Sequence, residues 1–525
     1  MPKVEPLVEA VTARLRPLEI AANQAWWLAS TAVSDEHERR RVATDIALRD
    51  ALGDVTTFAE IRDALAAVDD GSNPLVRRQL EVLHDRTLPQ QVPADLRAQL
   101  VELEAEVDAT FNAFRGRIDG EPLDDNAIMT ILRTSDDRAA RQRAWEASKQ
   151  VGAEVADQVR ELARLRNRAA RHLGSRDHFS LALETSELDE SRLFATLDEV
   201  ERATAAPFRA WKADLDADLA ARFGCRVDEL RPWHYDDPFF QEPPIAGSVN
   251  LDQWLETQDL EALAVRTYDG LGLDVRAVLE RSDLVPRAGK SQHAFCIDVD
   301  HEGDVRVLSN NVASEYWTGT MLHEFGHALY DIQVDPDLPW LLRTMHPLTT
   351  EGVAMLFGRL VRDPEWLGAV AGVAKPDLEA LVPQLERARR ASLLTFARWV
   401  LVMTHFERSL YADPDADLTA RWWELVERFQ LLTRPDGREA PDWAAKIHVA
   451  LAPVYYQNYL YGELVASQLQ STLRARAGGI VDRPQAGALL VDELFAPGLR
   501  VRWDALIEQV TGEPLTARHL AAELA

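Results

Sequence analysis

The helical spacing of apolar residues is the feature that most constrains the fold of this chain. Ala, Leu, Arg and Glu, all good helix formers, dominate long stretches in which apolar residues recur at three and four positions. Such stretches cover 96–114, 137–173, 387–410 and 421–432. The sequence therefore predicts a mostly α-helical protein.

Composition and charge limit the class of protein. The chain has 525 residues, of which 46% are hydrophobic and 27% charged, and these values are ordinary for a globular protein in water. A net charge of −28 opposes binding to nucleic acid and to anionic membranes. No apolar run reaches about 18 residues, so we expect no membrane span.

The cysteines and the first residues indicate the compartment. Cys225 and Cys296 are the two cysteines of the chain, which fits a reducing compartment better than a disulfide-built secreted protein. The first residues lack the basic-then-apolar pattern of a signal peptide. We therefore expect a cytoplasmic protein.

The run His323-Glu324-Phe325-Gly326-His327 carries the clearest chemical signal. The pattern predicts a helix over 314–331, on which residues four apart place both imidazoles on one face. Zinc accepts imidazole nitrogens in a tetrahedral site, so His323 and His327 are two expected ligands. Glu324, beside the first ligand, is the expected general base. The apolar flanks favour a buried metal site over two surface histidines.

A third ligand is expected downstream of the motif. Glu351 is the single carboxylate in an apolar helix start, 24 residues after His327. Glu315 is the weaker rival because it precedes the motif. Two histidines, one glutamate and an open fourth position are typical of a catalytic site, so we expect one Zn²⁺ per chain.

A β-hairpin is predicted just before the motif. Strand-forming residues at 295–299 and 305–308 flank a turn at 301–304. An edge strand beside a zinc helix is a place where an extended peptide can add itself as one more strand.

These blocks resemble a known family. The metal helix 323–330, the spacing to Glu351, and the intervening 337–339 with 342–343 are similar to the angiotensin-converting-enzyme family of zinc dipeptidyl carboxypeptidases. The thimet-oligopeptidase and oligoendopeptidase families are similar more loosely. Further similar blocks, in the same order, are Ala25-Trp26-Trp27, His293-Ala294, 421–430, 445–448, 453–459 and Gln468.

The resemblance implies further site residues. The implied substrate-binding residues are His293 and Ala294 for the peptide backbone, and Lys446 and Gln241 for the C-terminal carboxylate; the implied catalytic donors are His448, Tyr459 and, as second choice, Tyr456. The interval from His448 to Tyr456 is one residue longer than in the family, so Tyr455 also stays open. The interval from Gln241 to His293 is shorter than in the family.

One departure concerns the orientation of the metal-binding histidines. Most family members carry an aspartate four residues after the glutamate ligand, and here that position is Met355. Ligand histidines need a partner that orients the ring. Asp331, one turn beyond His327, is the replacement that the sequence offers.

The resemblance also implies the architecture. We expect a mostly α, two-lobed helical ellipsoid with a deep central cleft and a small β-sheet next to the zinc helix. One peptidase domain would cover 1–525, with a helical lid at 1–120 and a catalytic body at 121–525. The body would contain the zinc site at 323–351 and a substrate-gripping segment at 443–470.

The activity implied is zinc-dependent hydrolysis of short peptides with release of C-terminal dipeptides. The alternatives are an oligoendopeptidase or a single-residue metallocarboxypeptidase on the same fold, or a non-catalytic peptide-binding relative. Short peptides are the expected partners, and neither nucleic acid nor membrane is expected. The sequence leaves the oligomeric state open.

Overall fold

The computed structural model describes residues 4–68, 73–244 and 249–524, and it confirms a mostly α-helical protein. The α-helices are α1 (Val4–Thr31), α2 (Asp35–Leu52), α3 (Val55–Ala67), α4 (Pro74–Thr87), α5 (Ala94–Ala113), α6 (Asp125–Thr134), α7 (Arg138–His172), α8 (His178–Thr185), α9 (Glu190–Phe223), α10 (Asp252–Leu255), α11 (Leu260–Asp269), α12 (Arg276–Arg281), α13 (Glu315–Gln333), α14 (Pro347–Gly358), α15 (Pro364–Ala369), α16 (Lys375–Ala412), α17 (Leu418–Gln430), α18 (Ile447–Leu451), α19 (Tyr456–Ala477), α20 (Pro484–Leu489), α21 (Trp503–Thr511) and α22 (Arg518–Leu524).

The remaining regular segments are short. The strands are β1 (Gly116–Ile118), β2 (Glu121–Leu123), β3 (Phe295–Asp298) and β4 (Val305–Leu308). The 3₁₀ turns are Leu88–Gln90, Val227–Glu229, Pro232–His234, Trp340–Leu342, Arg359–Arg362, Asp442–Ala445 and Gly498–Arg500, and a π-helical segment covers Leu490–Phe495.

Several of the predicted helices begin directly after a polar side chain that caps them. The stretches predicted at 96–114, 137–173, 387–410 and 421–432 correspond to α5, α7, α16 and α17. α7 begins after Asp137, whose carboxylate accepts the backbone N–H groups of Ala139 and Ala140. α13 begins after Ser314, whose hydroxyl accepts the N–H of Trp317. The helix predicted around the motif is therefore confirmed, with its start at the capping serine.

The predicted hairpin is also confirmed. β3 and β4 pair antiparallel, with Phe295 opposite Leu308 and Asp298 opposite Val305. The turn between them contains His301 and Gly303, both with positive φ. A second two-stranded sheet joins β1 and β2.

The chain divides into two compact units. Unit 1 comprises Met1–Gln91, Val249–Leu385 and Tyr461–Leu520, and unit 2 comprises Val92–Ser248, Glu386–Leu460 and Ala521–Ala525. The predicted lid at 1–120 and the predicted central cleft stay predictions.

Unit 1 holds the motif helix. α13 packs against α14, against α11 and against both strands of the hairpin. Trp27 of α1 packs against the apolar face of the hairpin, where Ile297, Val299 and Leu308 are buried. A separate apolar core joins α1, α3 and α4 to the turn at Trp340–Leu342. The hairpin is thus held between α1 and the motif helix.

Unit 2 is built around α7. This helix packs against α5, α6, α8 and the turn Asp442–Ala445. Leu96 of α5 packs against Leu165 and Ala169 of α7. The contact between α7 and Asp442–Ala445 places the turn just before Lys446 against a long helix.

Within the described residues, we find no helix with the length and apolar character that crossing a membrane requires.

Candidate metal centre and active site

Three side chains of metal-binding type come together on two helices of unit 1. His323 and His327 lie one turn apart on α13, and Glu351 lies near the start of α14. His323 Nε2 is 3.8 Å from one carboxylate oxygen of Glu351, and His327 Nε2 is 3.9 Å from the other. The ligand atoms of the three residues all lie within 4.8 Å of one another. The two helices therefore assemble two imidazoles and a carboxylate around one point.

The protonation of these groups suits a cation. Burial lowers the pKa of His323 to about 4, and burial together with His323 lowers that of His327 to about 3, so both rings are neutral near pH 7. Burial and the nearby Glu463 raise the pKa of Glu351 to about 7. The two neutral rings provide no positive charge to stabilise the buried carboxylate of Glu351. A divalent cation bound between the three side chains would provide it.

A hydroxyl group orients one of the two rings. His327 Nδ1 lies 2.6 Å from Thr350 Oγ1 on α14. If Nε2 binds a metal, Nδ1 carries the proton and donates it to that hydroxyl. The choice of Asp331 for this role was wrong. Its carboxylate lies beside the Cys296 thiol instead, with 3.8 Å between Oδ2 and Sγ, because Nδ1 of His327 faces α14 and not the next turn of its own helix.

Two glycines let the helices of the site approach closely. A Cβ added to Gly326, inside the motif, would lie 3.0 Å from the Cα of Ala354 on α14. A Cβ added to Gly462 on α19 would lie 2.9 Å from Met355 Sδ and 3.0 Å from Glu351 Cγ. These separations are tighter than nearly all Cβ contacts, so a side chain at Gly326 would push on the α14 backbone, and one at Gly462 would push on the side chains of Met355 and Glu351.

Glu324 is a buried carboxyl group with a strongly shifted pKa. The side chain is 8% exposed on α13. Burial, and secondarily the charge of Glu351, raise the pKa of Glu324 to about 8, although the backbone N–H of Cys296 donates to the carboxylate and offsets part of the rise. The hairpin strand thus positions this group from one side and the helix from the other.

A cavity of about 760 Å³ adjoins these groups in unit 1. Its walls include His323, Glu324, His293 and Ala294. β3 begins directly after Ala294, and among the described residues one edge of β3 has no partner strand. The predicted substrate-binding pair therefore lies beside the predicted base, at the start of an edge strand.

Two ion pairs in the wall of this cavity were missed by the sequence analysis. Arg359 pairs with Glu463, and Arg362 Nε lies 2.5 Å from a carboxylate oxygen of Glu315. The partners are 104 and 47 positions apart, so no local pattern predicts them. The pairing also places Glu315, the rival ligand, with an arginine and at the start of α13, outside the group formed by the two histidines and Glu351.

In unit 2, Lys446 and Gln241 meet as the resemblance implies. Lys446 Nζ donates to Gln241 Oε1 at 2.8 Å. Burial lowers the pKa of Lys446 to about 8, and the carboxylates of Asp237 and Glu242 limit the fall. Both side chains line a cavity of about 450 Å³ whose apolar wall includes Phe239. A cationic nitrogen and an amide at one wall of a cavity can bind a carboxylate.

His448 and the tyrosines also lie together in unit 2. The ring centroids of His448 and Tyr456 are 4.9 Å apart, and those of Tyr456 and Tyr459 are 5.5 Å apart. Burial and the charge of Lys446 lower the pKa of His448 to about 4, so its ring is neutral near pH 7. Burial raises the pKa of Tyr456, so its hydroxyl keeps its proton. Tyr455 is 38% exposed and Tyr456 is 5% exposed.

The predicted site residues thus form two groups. Unit 1 contains His293, Ala294, His323, Glu324, His327 and Glu351, and unit 2 contains Gln241, Lys446, His448, Tyr456 and Tyr459. That both groups act on one substrate stays a prediction.

Comparison with family models supports the resemblance. The family model for angiotensin-converting enzyme matches residues 3–207. The matched residues precede the metal motif, so this similarity and the motif come from different parts of the chain. None of the curated proteins compared with the chain matches it. The resemblance to the angiotensin-converting-enzyme family is therefore confirmed, and it supports a metallopeptidase.

Proposed function

We propose that this protein is a zinc peptidase that releases dipeptides from the free carboxyl end of short peptides. The observation that carries the proposal is the group of His323, His327 and Glu351 within 4.8 Å, next to the buried carboxyl group of Glu324. The family match supports the same class of enzyme.

The donor set fits zinc. Two imidazole nitrogens and one carboxylate oxygen are ligands of catalytic zinc sites, which keep one position open. Bonds of about 2.1 Å to one ion place tetrahedral ligand atoms about 3.4 Å apart, and the observed separations of 3.8 and 3.9 Å are close to that. A zinc ion held there supplies Lewis acidity, which polarises a substrate carbonyl and makes water more acidic.

Glu324 is the proposed general base. A pKa near neutrality is the value at which a carboxyl group both accepts and returns a proton efficiently. Burial raises the pKa of Glu324 to about 8 in the protein alone, and a nearby cation would lower it again. Glu324 takes a proton from the attacking water and then donates it to the leaving amine.

The other roles rest on the resemblance. We assign to Tyr459, with Tyr456 second, the hydroxyl that donates to the carbonyl oxygen as negative charge develops; losing one such donor typically lowers the rate by about 10²–10³-fold. His448, neutral near pH 7, donates to the same region. His293 and Ala294 bind the substrate backbone at the start of β3.

Recognition of the carboxyl end is assigned to Lys446 and Gln241. Their contact of 2.8 Å, in the wall of a cavity, supports this assignment. A free carboxylate would gain a charge-assisted hydrogen bond there, and a C-terminal amide would not. In the family that the chain resembles, binding of the C-terminal carboxylate by the matching lysine sets the cut two residues from the end, and we propose the same position of cleavage here.

The test is product analysis on matched peptides. Mass spectrometry should show dipeptides released from unblocked peptides, loss of release after treatment with a chelator, and recovery with zinc. Equal rates on C-terminally amidated peptides would contradict dipeptide release and favour an endopeptidase. Release of single residues would favour a metallocarboxypeptidase.

Variants test the metal site separately from turnover. Glu324→Gln should keep zinc and lose turnover. Glu351→Gln should lose zinc, and the matched variant Glu315→Gln on the rival ligand should retain it. Zinc loss in the Glu315 variant with retention in the Glu351 variant would overturn the assignment of the third ligand.

A further inference from the structure

The link between α18 and α19 contains a strained residue. α18 ends at Leu451 and α19 begins at Tyr456, and between them Val454 has φ of +55°. β-branched residues rarely adopt this left-handed conformation because the branched side chain collides with the backbone. Such a conformation persists only where neighbouring groups hold it. The link also joins His448, on α18, to Tyr456.

Two buried side chains hold the backbone of Val454. Its N–H donates to Glu407 Oε1 on α16 at 2.7 Å, and its carbonyl accepts from Gln457 Nε2 at 2.6 Å. Glu407 is 0% exposed and Gln457 is 1% exposed. Both polar backbone groups of the strained residue are therefore satisfied from within the core.

The other end of the link is held by α7. Arg166, 5% exposed, donates through Nη2 to the carbonyl of Ala450 at 2.6 Å. That carbonyl belongs to the last turn of α18. The link is thus fixed at Ala450 by Arg166 and at Val454 by Glu407, two side chains from different helices.

The carboxyl group of Glu407 is only partly hydrogen-bonded. Its second carboxyl oxygen, Oε2, is buried and has no hydrogen-bond partner among the described residues. Burial raises the pKa of Glu407 to about 8, so the group is neutral near pH 7. An unpaired buried oxygen destabilises the protein relative to an apolar side chain of similar size. The bond to Val454 is the contact that a leucine could not make.

We infer that Glu407 is a positioning residue, which holds Val454 in its strained conformation and thereby fixes His448 and Tyr456 relative to each other. The inference rests on the proposed function, which assigns donor roles to His448 and, as second choice after Tyr459, to Tyr456. The two rings lie 4.9 Å apart, across the link. Without the bond to Glu407, Val454 relaxes to negative φ, the start of α19 turns, and the ring of Tyr456 moves away from His448.

The experiment compares Glu407→Leu with Glu407→Gln in the zinc-loaded full chain. Leucine removes the acceptor, whereas glutamine keeps an acceptor and resembles the neutral carboxyl group. Leucine should lower kcat about 10²-fold, the effect of misplacing a reacting group by about 1 Å. KM should change little because Lys446 is untouched. Glutamine should retain kcat, and so should Thr404→Val, a matched buried control on the same helix.

A second substitution, at Val454, tests the backbone strain itself. Glycine adopts positive φ without steric cost, so adding Val454→Gly to Glu407→Leu should recover at least about tenfold of the lost kcat. This double variant also provides a folded protein if leucine alone prevents folding. Absence of recovery, or an equal loss in the glutamine and leucine variants, would overturn the inference.

Amide hydrogen exchange separates the inference from the proposed function. Residues 447–459 should exchange faster in Glu407→Leu than in the wild type, with the Val454 amide most affected and the glutamine variant unchanged. This measurement needs no substrate. A wild type that releases no dipeptides would refute the proposed function, while unchanged exchange in the leucine variant would refute the role of Glu407.

Discussion

Replacing Thr350 by valine should weaken zinc binding without disturbing the fold. Thr350 Oγ1 lies 2.6 Å from His327 Nδ1, and the His327 side chain is 17% exposed. With zinc on Nε2, the ring must carry its proton on Nδ1, and valine leaves that buried donor without an acceptor. Without zinc, the proton can move to Nε2, so the penalty falls on the metal-bound state alone.

The expected loss of zinc affinity follows from the cost of the unpaired donor in the zinc-bound state. An unpaired buried donor costs about 1–3 kcal/mol, and each 1.4 kcal/mol corresponds to about tenfold in affinity. Loss of a partner that orients a metal-binding histidine typically lowers metal affinity about 10–100-fold. We therefore expect Thr350→Val to raise the Kd for zinc by about 10–100-fold.

The assay is competition for zinc against a chromophoric chelator, with the metal-depleted protein. Thr350→Ser keeps the hydroxyl and should bind zinc like the wild type. Thr349→Val is the matched control, because that hydroxyl donates to the carbonyl of His346 at 2.9 Å. Its loss should lower stability and leave zinc affinity unchanged. If the Kd of the Thr350→Val variant stays within about twofold of the wild-type value, Thr350 does not orient the His327 ring, since loss of such a partner should raise the Kd at least about tenfold.

Three further predictions concern other parts of the chain. Gly462→Ala should lower zinc affinity, because the new Cβ would lie 3.0 Å from Glu351 Cγ; chelator competition measures this. KM for unblocked peptides should rise above about pH 8, since Lys446, with its pKa lowered to about 8 by burial, loses its charge there; amidated peptides should show no such rise. Although burial opposes it, the carboxylates of Asp298 and Glu19 raise the pKa of His301 to about 10. Because this exceeds the unfolded value of about 6.5, the stability that His301 contributes is complete below about pH 6.5 and is lost as the pH rises through about 10; urea unfolding of wild type and His301→Gln should converge there.

Each of these outcomes has a clear contrary result. An alanine at Gly462 that binds zinc normally would show that α19 moves away from α14 freely. A KM that rises equally for amidated peptides would remove Lys446 as the carboxylate partner. A constant stability difference between wild type and the His301 variant from pH 6 to 10 would show that the charge of His301 contributes nothing.

Local sequence patterns were sufficient to predict the motif helix and the hairpin. The spacing of His323 and His327 determines that both rings share one face, because residues four apart lie one turn apart on any α-helix. The cap at Ser314 and the pairing of β3 with β4 across a short turn depend equally on near neighbours. These features could be predicted because the interactions that produce them are short in sequence.

Partners from distant helices could not be predicted in this way. Asp331 was chosen by its spacing on α13, whereas the actual partner of His327 is on α14. The pair of Arg359 and Glu463 and the bond from Val454 to Glu407 likewise join residues far apart in sequence. Lys446 and Gln241, 205 positions apart, were anticipated from the family resemblance and from no rule of spacing.

The sequence by itself therefore determined the types of ligand and the face that presents two of them. His323, His327 and Glu351 can be proposed as ligands from sequence because zinc favours those side chains and helical geometry sets the first spacing. The tertiary structure alone decided which group orients the His327 ring. That depends on how closely α13 and α14 approach, which Gly326 permits by leaving out a Cβ that would lie 3.0 Å from Ala354 Cα.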